Sequence, residues 1–171
     1  MSVTAPRGFR AAGIAAGIKD NGNRDLALVV NDGPSRAAAA VYTANRIKAA
    51  PVIWSQQVTS GGRVRAVVLN SGGANACTGT AGFQDTHLTA ERVADVLEDS
   101  AAEIVVCSTG LIGDRLPMEE LLAGVGTVAA ELSRDGGLAA ADAIRTTDSV
   151  AKISFRRGEG GYMIGGMAKG A

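Results

Sequence analysis

The sequence predicts a mixed α/β or α+β chain, and three observations carry that prediction. Short Val-rich apolar runs alternate with Gly, Asn and Asp through the first half, the pattern of buried strands separated by turns. Helical periodicity then appears in three later segments. Two of the apolar runs also end in polar, glycine-rich turns: Val67-Val68-Leu69 enters Asn70 to Gly79, and Ile104-Val105-Val106 enters Cys107 to Gly113. With 171 residues, 46% of them hydrophobic, the chain is long enough to bury one core. No repeat, low-complexity tract or linker divides it, so residues 1–171 are read as one domain.

In chain order, Leu26 to Val30 is predicted as a strand, followed by the turn Asn31-Asp32-Gly33-Pro34. Ala38 to Tyr42, Val64 to Leu69 and Glu103 to Val106 are also predicted as strands. Leu88 to Leu97 reads as an amphipathic helix, with Val93, Val96 and Leu97 opposite Glu91, Arg92, Asp95 and Glu98. Pro117 opens a second helix carrying Leu121, Leu122, Val125, Val128 and Leu132 at helical spacing. Glu119 and Glu120 suit the positive end of its dipole. An Ala-rich third helix runs from Leu138 to Arg145. Lys152 to Arg157 and Tyr162 to Ile164 flank Gly158 to Gly161 as a hairpin.

Composition excludes several functions. Lys plus Arg and Asp plus Glu number 17 each, so no basic footprint for nucleic acid or anionic membrane exists. Aromatic residues are 4%, too few for base-stacking platforms. No apolar run approaches the roughly 20 residues of a membrane span, and Met1 to Arg10 lack the pattern of a secretory signal. A cytoplasmic location is expected. Cys77 and Cys107 form neither a disulfide framework nor a zinc pattern, and are read as small buried thiols beside the turns.

The two glycine-rich turns present backbone N–H groups and small polar side chains at strand ends, an arrangement suited to an anion or a developing oxyanion. Neither is a Walker or dinucleotide motif, although phosphate binding through backbone amides stays open. A Ser-His-Asp triad would have to use His87, the one histidine, which is read instead as a helix-start or surface residue. Cys107-Ser108-Thr109-Gly110 offers nucleophiles without a neighbouring base. Its better chemical role is oxyanion donation from the Thr109 hydroxyl and Gly110 amide; the alternative is an ordinary tight turn. Thr146-Thr147-Asp148 reads as a capped turn between helix and strand. Lys169, between glycines, suits a substrate carboxylate or a solvated terminus.

Taken in order, further segments carry a resemblance. They are Gly8 to Lys19, Val41-Tyr42-Thr43-Ala44-Asn45, Ala49-Ala50-Pro51-Val52, the Asn70 turn, Ser108 to Gly113, Thr146-Thr147-Asp148 and Gly166-Met167-Ala168-Lys169-Gly170. Together they resemble the α chain of the bifunctional ornithine acetyltransferase/N-acetylglutamate synthase family of arginine biosynthesis. The resemblance implies a layered α/β sandwich of the self-processing aminopeptidase/ornithine acetyltransferase type, completed by a β chain from the same precursor in an α2β2 heterotetramer. It implies acetyl transfer from N-acetylornithine to glutamate through an acyl-threonine whose nucleophile opens the β chain. Thr109 and Gly110 would form the oxyanion hole, and Thr146 and Lys169 would bind substrate. No metal or cofactor is implied, with acetyl-CoA a further acetyl donor in bifunctional members.

Two departures from the family pattern stand out: Gly73 occupies a position where an amide is common, and Arg156 to Gly161 follow no fixed pattern. Family members also continue beyond the equivalent of Ala171 to the cleavage threonine. Rival readings are an amidase or aminopeptidase of the same self-cleaving fold, and a non-catalytic anion-binding module.

Overall fold

The computed structural model describes residues 2–170. Four strands form the main sheet in the order β1 (Phe9–Ile14), β2 (Leu26–Asn31), β3 (Ala66–Gly73), β4 (Ile104–Leu111). The pairs β1–β2 and β2–β3 are antiparallel, whereas β3 and β4 run parallel. A parallel neighbour needs a crossover, and α2 (Gly79–Leu97) supplies it.

Side chains alternate across the strands, and each face has its own cover. Leu26, Leu28 and Val30 of β2, Ala66 and Val68 of β3, and Ile104 and Val106 of β4 are buried on one face, under Val93 of α2 and Leu121, Val125 and Val128 of α3 (Met118–Ala130). On the other face Ala11 and Ala27 pack against Ala140, Ala143 and Ile144 at α4 (Gly137–Ala143). Small residues let that helix lie close. A Cβ on Gly13 would stand 2.1 Å from the Ala139 carbonyl oxygen, so glycine is required there. Val67, Leu69 and Val105 on this second face are only half-buried. Helices on both sides of the sheet make the layered α/β arrangement that the resemblance implied.

Helix α1 (Ala50–Ser60) covers the edge of β4. Trp54 Nε1 donates to the Ile104 carbonyl at 2.9 Å. Ser55 Oγ donates to the Val106 carbonyl at 2.8 Å and accepts the Val106 N–H at 3.1 Å. Backbone groups that an edge strand leaves open are thereby satisfied. β5 (Lys152–Arg157) and β6 (Met163–Ala168) form a separate antiparallel pair, with every β5 residue exposed.

Several expectations need correction. Ala38 to Tyr42 is no strand: only Ala37 bridges, to Arg63, and Val41 is 98% exposed. An apolar run without a partner backbone in reach cannot make a ladder. α2 starts at Gly79, nine positions before Leu88, because its first turns bury a polar face through Asp85 and Thr86. Strand β1 and helix α1 were not foreseen, since alanine-rich FRAAGI has weak β-propensity and α1 has no clear apolar stripe. Both cysteines are exposed free thiols, not buried ones, because Cys107 lies on the partly open face of an edge strand.

Candidate functional site

The site is built from the carboxyl ends of β3 and β4, where the sheet stops. Asn70 pairs with Ser108, Ser71 with Thr109 and Gly72 with Gly110, before the register shifts at Gly73. The two glycine-rich turns are therefore one structure. Gly110 takes φ +136°, and a Cβ there would come within 2.4 Å of the Gly72 carbonyl carbon. Ala74 N–H donates to the Leu111 carbonyl at 2.8 Å and Gly113 N–H to the Ala76 carbonyl at 2.9 Å, lacing the turns together. Thr109 is half-buried and Gly110 exposed, so both predicted oxyanion donors sit at the open end of the sheet.

Alternation sends Ser71 and Thr109 to the α4 side. Ser71 is fully buried, and its Oγ donates to the Ala143 carbonyl at 2.6 Å. The last turn of α4 is thus fastened beside Thr109. Three residues on, Thr146 is exposed and lines a small polar cavity of about 100 Å³ with Lys19, Asn21, Asn23, Arg24, Asp142 and Arg145. The Arg145 guanidinium fixes the following turn by donating to the Asp148 and Ser149 carbonyls.

Asp148 links that turn to the segment carrying Lys169. Its carboxylate pairs with Lys152 and accepts the Gly170 N–H at 2.6 Å. The Lys152 hydrogen bond, then the Gly170 N–H, hold its pKa below the usual value. Lys169 is half-buried and its ammonium donates to the Gly170 carbonyl at 2.5 Å. Met167, two residues earlier, packs against the Ala143 and Ile144 cluster. All four predicted residues thus belong to segments tied around the carboxyl end of α4.

Other groups offer this site no nucleophile or base. The His87 side chain is 48% exposed, 3.7 Å from Glu91, and its ring lies 5.0 Å from that of Trp54. Cys107 keeps an accessible face, yet neighbouring protein atoms take enough water from its thiol to push it up to about 11, the opposite of an activated thiolate. An open depression of about 800 Å³ is lined by Arg7, Arg134, Arg157 and Tyr162 among others, and contains none of the predicted residues. Among the described residues no group of three or more His, Cys, Asp or Glu is placed to hold a metal ion.

Sequence reasoning missed Ser71, Asp25 and Lys19. Asp25 is fully buried and accepts the N–H groups of Ala16 at 2.6 Å, Ile18 at 2.7 Å and Lys19 at 2.9 Å. An acid directly preceding the apolar run Leu26 to Val30 was the available signal.

Comparison with known proteins adds the following. The model of the ArgJ family matches residues 10–171. The arginine biosynthesis bifunctional protein ArgJ of Thermobifida fusca is 73% identical over the whole chain, and ArgJ 1 of Streptomyces clavuligerus is 66% identical. The chain spans 44% of the length of each. Among solved structures, ornithine acetyltransferase from Mycobacterium tuberculosis, complexed with ornithine, superposes with a TM-score of 0.98 at 61% identity, covering 99% of this chain and 92% of that one. The ArgJ protein of Bacillus halodurans gives 0.91 at 36% identity, covering 100% and 91%.

Proposed function

This chain belongs to the ArgJ family, and on that premise we propose that it is the α portion of a glutamate N-acetyltransferase that moves acetyl from N-acetylornithine to glutamate. The nucleophile is the amino-terminal threonine of a β chain released from the same precursor, activated by its own α-amino group. Its hydroxyl attacks the acetyl carbonyl of N-acetylornithine. The resulting oxyanion is held by the Thr109 hydroxyl and Gly110 N–H. Collapse transfers a proton to the leaving amine, releases ornithine and leaves an acetyl ester on the threonine. The glutamate amine then attacks that ester through the same oxyanion site, releasing N-acetylglutamate and restoring the hydroxyl. Thr146 and Lys169 hold the substrate, Lys169 through its carboxylate.

The observation that carries this reading is the convergence of those four residues' segments. Ser71 is Thr109's neighbour across the ladder and is bonded to α4. The turn after α4 is bonded through Asp148 to the residue after Lys169. Donors for a developing negative charge and groups for a carboxylate are what acetyl transfer between amino acids needs. A partner chain is supported by the exposed apolar side chains of Leu111 and Ile112, which directly follow the oxyanion turn. An α2β2 assembly in the cytoplasm, working without metal or organic cofactor, completes the proposal, with acetyl-CoA as a further donor to the same threonine.

The test is acetyl transfer by the full-length precursor after processing. Thr109→Ala is expected to lower kcat by about 10²–10³, the scale for losing one oxyanion donor. A variant within twofold of wild type removes Thr109 from the mechanism. Hydrolysis of unacetylated peptide amides in place of N-acetylornithine turnover would point instead to an amidase of the same fold.

A further inference from the structure

The loop between β1 and β2 contains a lysine that the proposed chemistry does not use. Asp25 takes three N–H groups from this loop, which fixes the backbone on either side of Gly17. The folded loop then wedges against the end of β3. Gly72 has φ +115°, and a Cβ there would meet Ile18 Cγ2 at 3.0 Å, the Ile18 carbonyl oxygen at 3.1 Å and Lys19 Cγ at 3.3 Å. Gly72 is the ladder partner of Gly110. The stem of Lys19 therefore lies against the backbone that backs the oxyanion turn.

Its ammonium points the other way along the site. Lys19 Nζ donates to the Arg24 carbonyl at 3.0 Å and to the Arg145 carbonyl at 2.7 Å. The second acceptor is 126 residues away in sequence and immediately precedes Thr146. The Arg145 carbonyl follows the Ile144 C-cap of α4, beyond the reach of any intrahelical amide, and the lysine ammonium satisfies it. The charged groups facing this ammonium are Asp25, Asp142 and Arg145, and burial lowers the lysine's pKa against the two carboxylates.

We infer that Lys19 is a positioning residue, which spans from the Gly72–Gly110 contact to the Arg145 carbonyl and sets the Thr146 turn at a fixed separation from the oxyanion donors. The inference rests on the acetyl-transfer reading for its kinetic consequence, but its structural part does not. Two ties converge on this end of α4: Ser71 of β3 holds Ala143, and Lys19 of the β1–β2 loop holds Arg145. The Arg145 and Asp148 bonds order the turn itself and join it to Gly170. The Lys19 bond ties its backbone to the loop packed on Gly72, and without it the turn loses that reference to the oxyanion donors. Catalytic geometry is sensitive to such a loss, since a displacement near 1 Å costs on the order of 10²-fold in rate.

The experiment uses the full-length processed protein. Lys19→Met keeps the stem against Gly72 and deletes the ammonium. It is expected to lower kcat for acetyl transfer by about 10- to 100-fold and to speed hydrogen–deuterium exchange at amides 145–149. Lys19→Cys treated with 2-bromoethylamine regains an ammonium at lysine's length and is expected to recover most of both losses. Alkylated wild type is the control, because Cys77 and Cys107 are accessible.

Kinetics and exchange within twofold of wild type in Lys19→Met overturn the inference. So does a loss that aminoethylation fails to restore, which assigns Lys19 to loop packing alone. If wild type transfers no acetyl group, the functional reading fails by itself. The exchange data then still decide whether Lys19 holds the turn.

Discussion

Asn75 shows at the scale of one residue what the first glycine-rich turn does. Its side chain is fully buried and donates to the Gly82 carbonyl at 2.8 Å and to Thr86 Oγ1 at 2.9 Å, while its oxygen accepts from Thr78 Oγ1 at 2.7 Å. Its backbone takes φ +48°, a left-handed conformation that asparagine tolerates better than most residues. The sequence shows the Asn70 to Gly79 stretch as a polar, glycine-rich turn suited to an anion. For Asn75 the bonds favour support, since two reach α2 and the third holds Thr78 at its N-cap. Asn75→Ala would remove all three bonds at about 1 kcal/mol each; Thr86 Oγ1 keeps its bond to the Gly82 carbonyl at 3.0 Å, while Thr78 Oγ1 loses its acceptor. A loss of at least about 2 kcal/mol is expected in urea denaturation of the full-length protein. A change below about 0.5 kcal/mol would contradict this account.

At the scale of elements, α2 is the clearest case of packing overriding propensity. Gly79, Gly82 and two threonines are poor helix formers, so the sequence pattern supports a helix only from Leu88. The tertiary structure extends it, because Asn75, Thr78, Gly82 and Thr86 form a buried polar knot that side-chain periodicity does not reveal. Gly82 makes this testable with a reversal of sign. Replacing a helical glycine by alanine ordinarily stabilises by roughly 0.5–1 kcal/mol. Here the new Cβ would stand 1.9 Å from Thr78 Oγ1 and 2.3 Å from Asn75 Oδ1. Gly82→Ala is therefore expected to destabilise by about 1–3 kcal/mol, the cost of overpacking, with a lower midpoint in thermal unfolding. A raised midpoint would show that the knot yields easily. The helices opened by Pro117 and the alanine run were legible because their signals are local. Strand β1 and the Ala38 to Tyr42 run were misjudged because strand formation depends on a partner elsewhere in the chain.

For the whole molecule, charge is arranged at the end of the sheet opposite the site. Arg36 pairs with Asp99 and Glu103 at 2.7 Å each, Arg63 with Glu103, Arg65 with Asp99 and Asp32, and Arg10 with Asp32. The hydrogen bond from Arg10 holds the Asp32 carboxyl below its usual pKa, and that from Arg36 does so for Glu103. Burial works against ionisation of Asp99, yet the Arg36 and Ser100 hydrogen bonds outweigh it. A carboxylate whose pKa is depressed by folding contributes stability above its unfolded value and loses it as pH falls through the folded one. Stability is therefore expected to hold from neutral pH to about pH 5 and to decline below about 4.5. Asp99→Asn with Glu103→Gln should flatten that decline, and salt should reduce it because the pairs are partly exposed. An acid limb unchanged by the double variant would place its origin elsewhere.

The sequence by itself determined a mixed α/β or α+β class, the two strands that enter glycine-rich turns, and the order of motifs that marks the family. These are carried by residues close together along the chain. Only the tertiary structure decided that the turns are laced together through Gly72 and Gly110, that Ser71 and Lys19 tie them to α4, and that Asp148 fastens the Thr146 turn to Gly170. Each of those contacts joins residues from 22 to 126 positions apart. Only chain folding brings such donors and acceptors to hydrogen-bond distance, and no local pattern encodes the pairing.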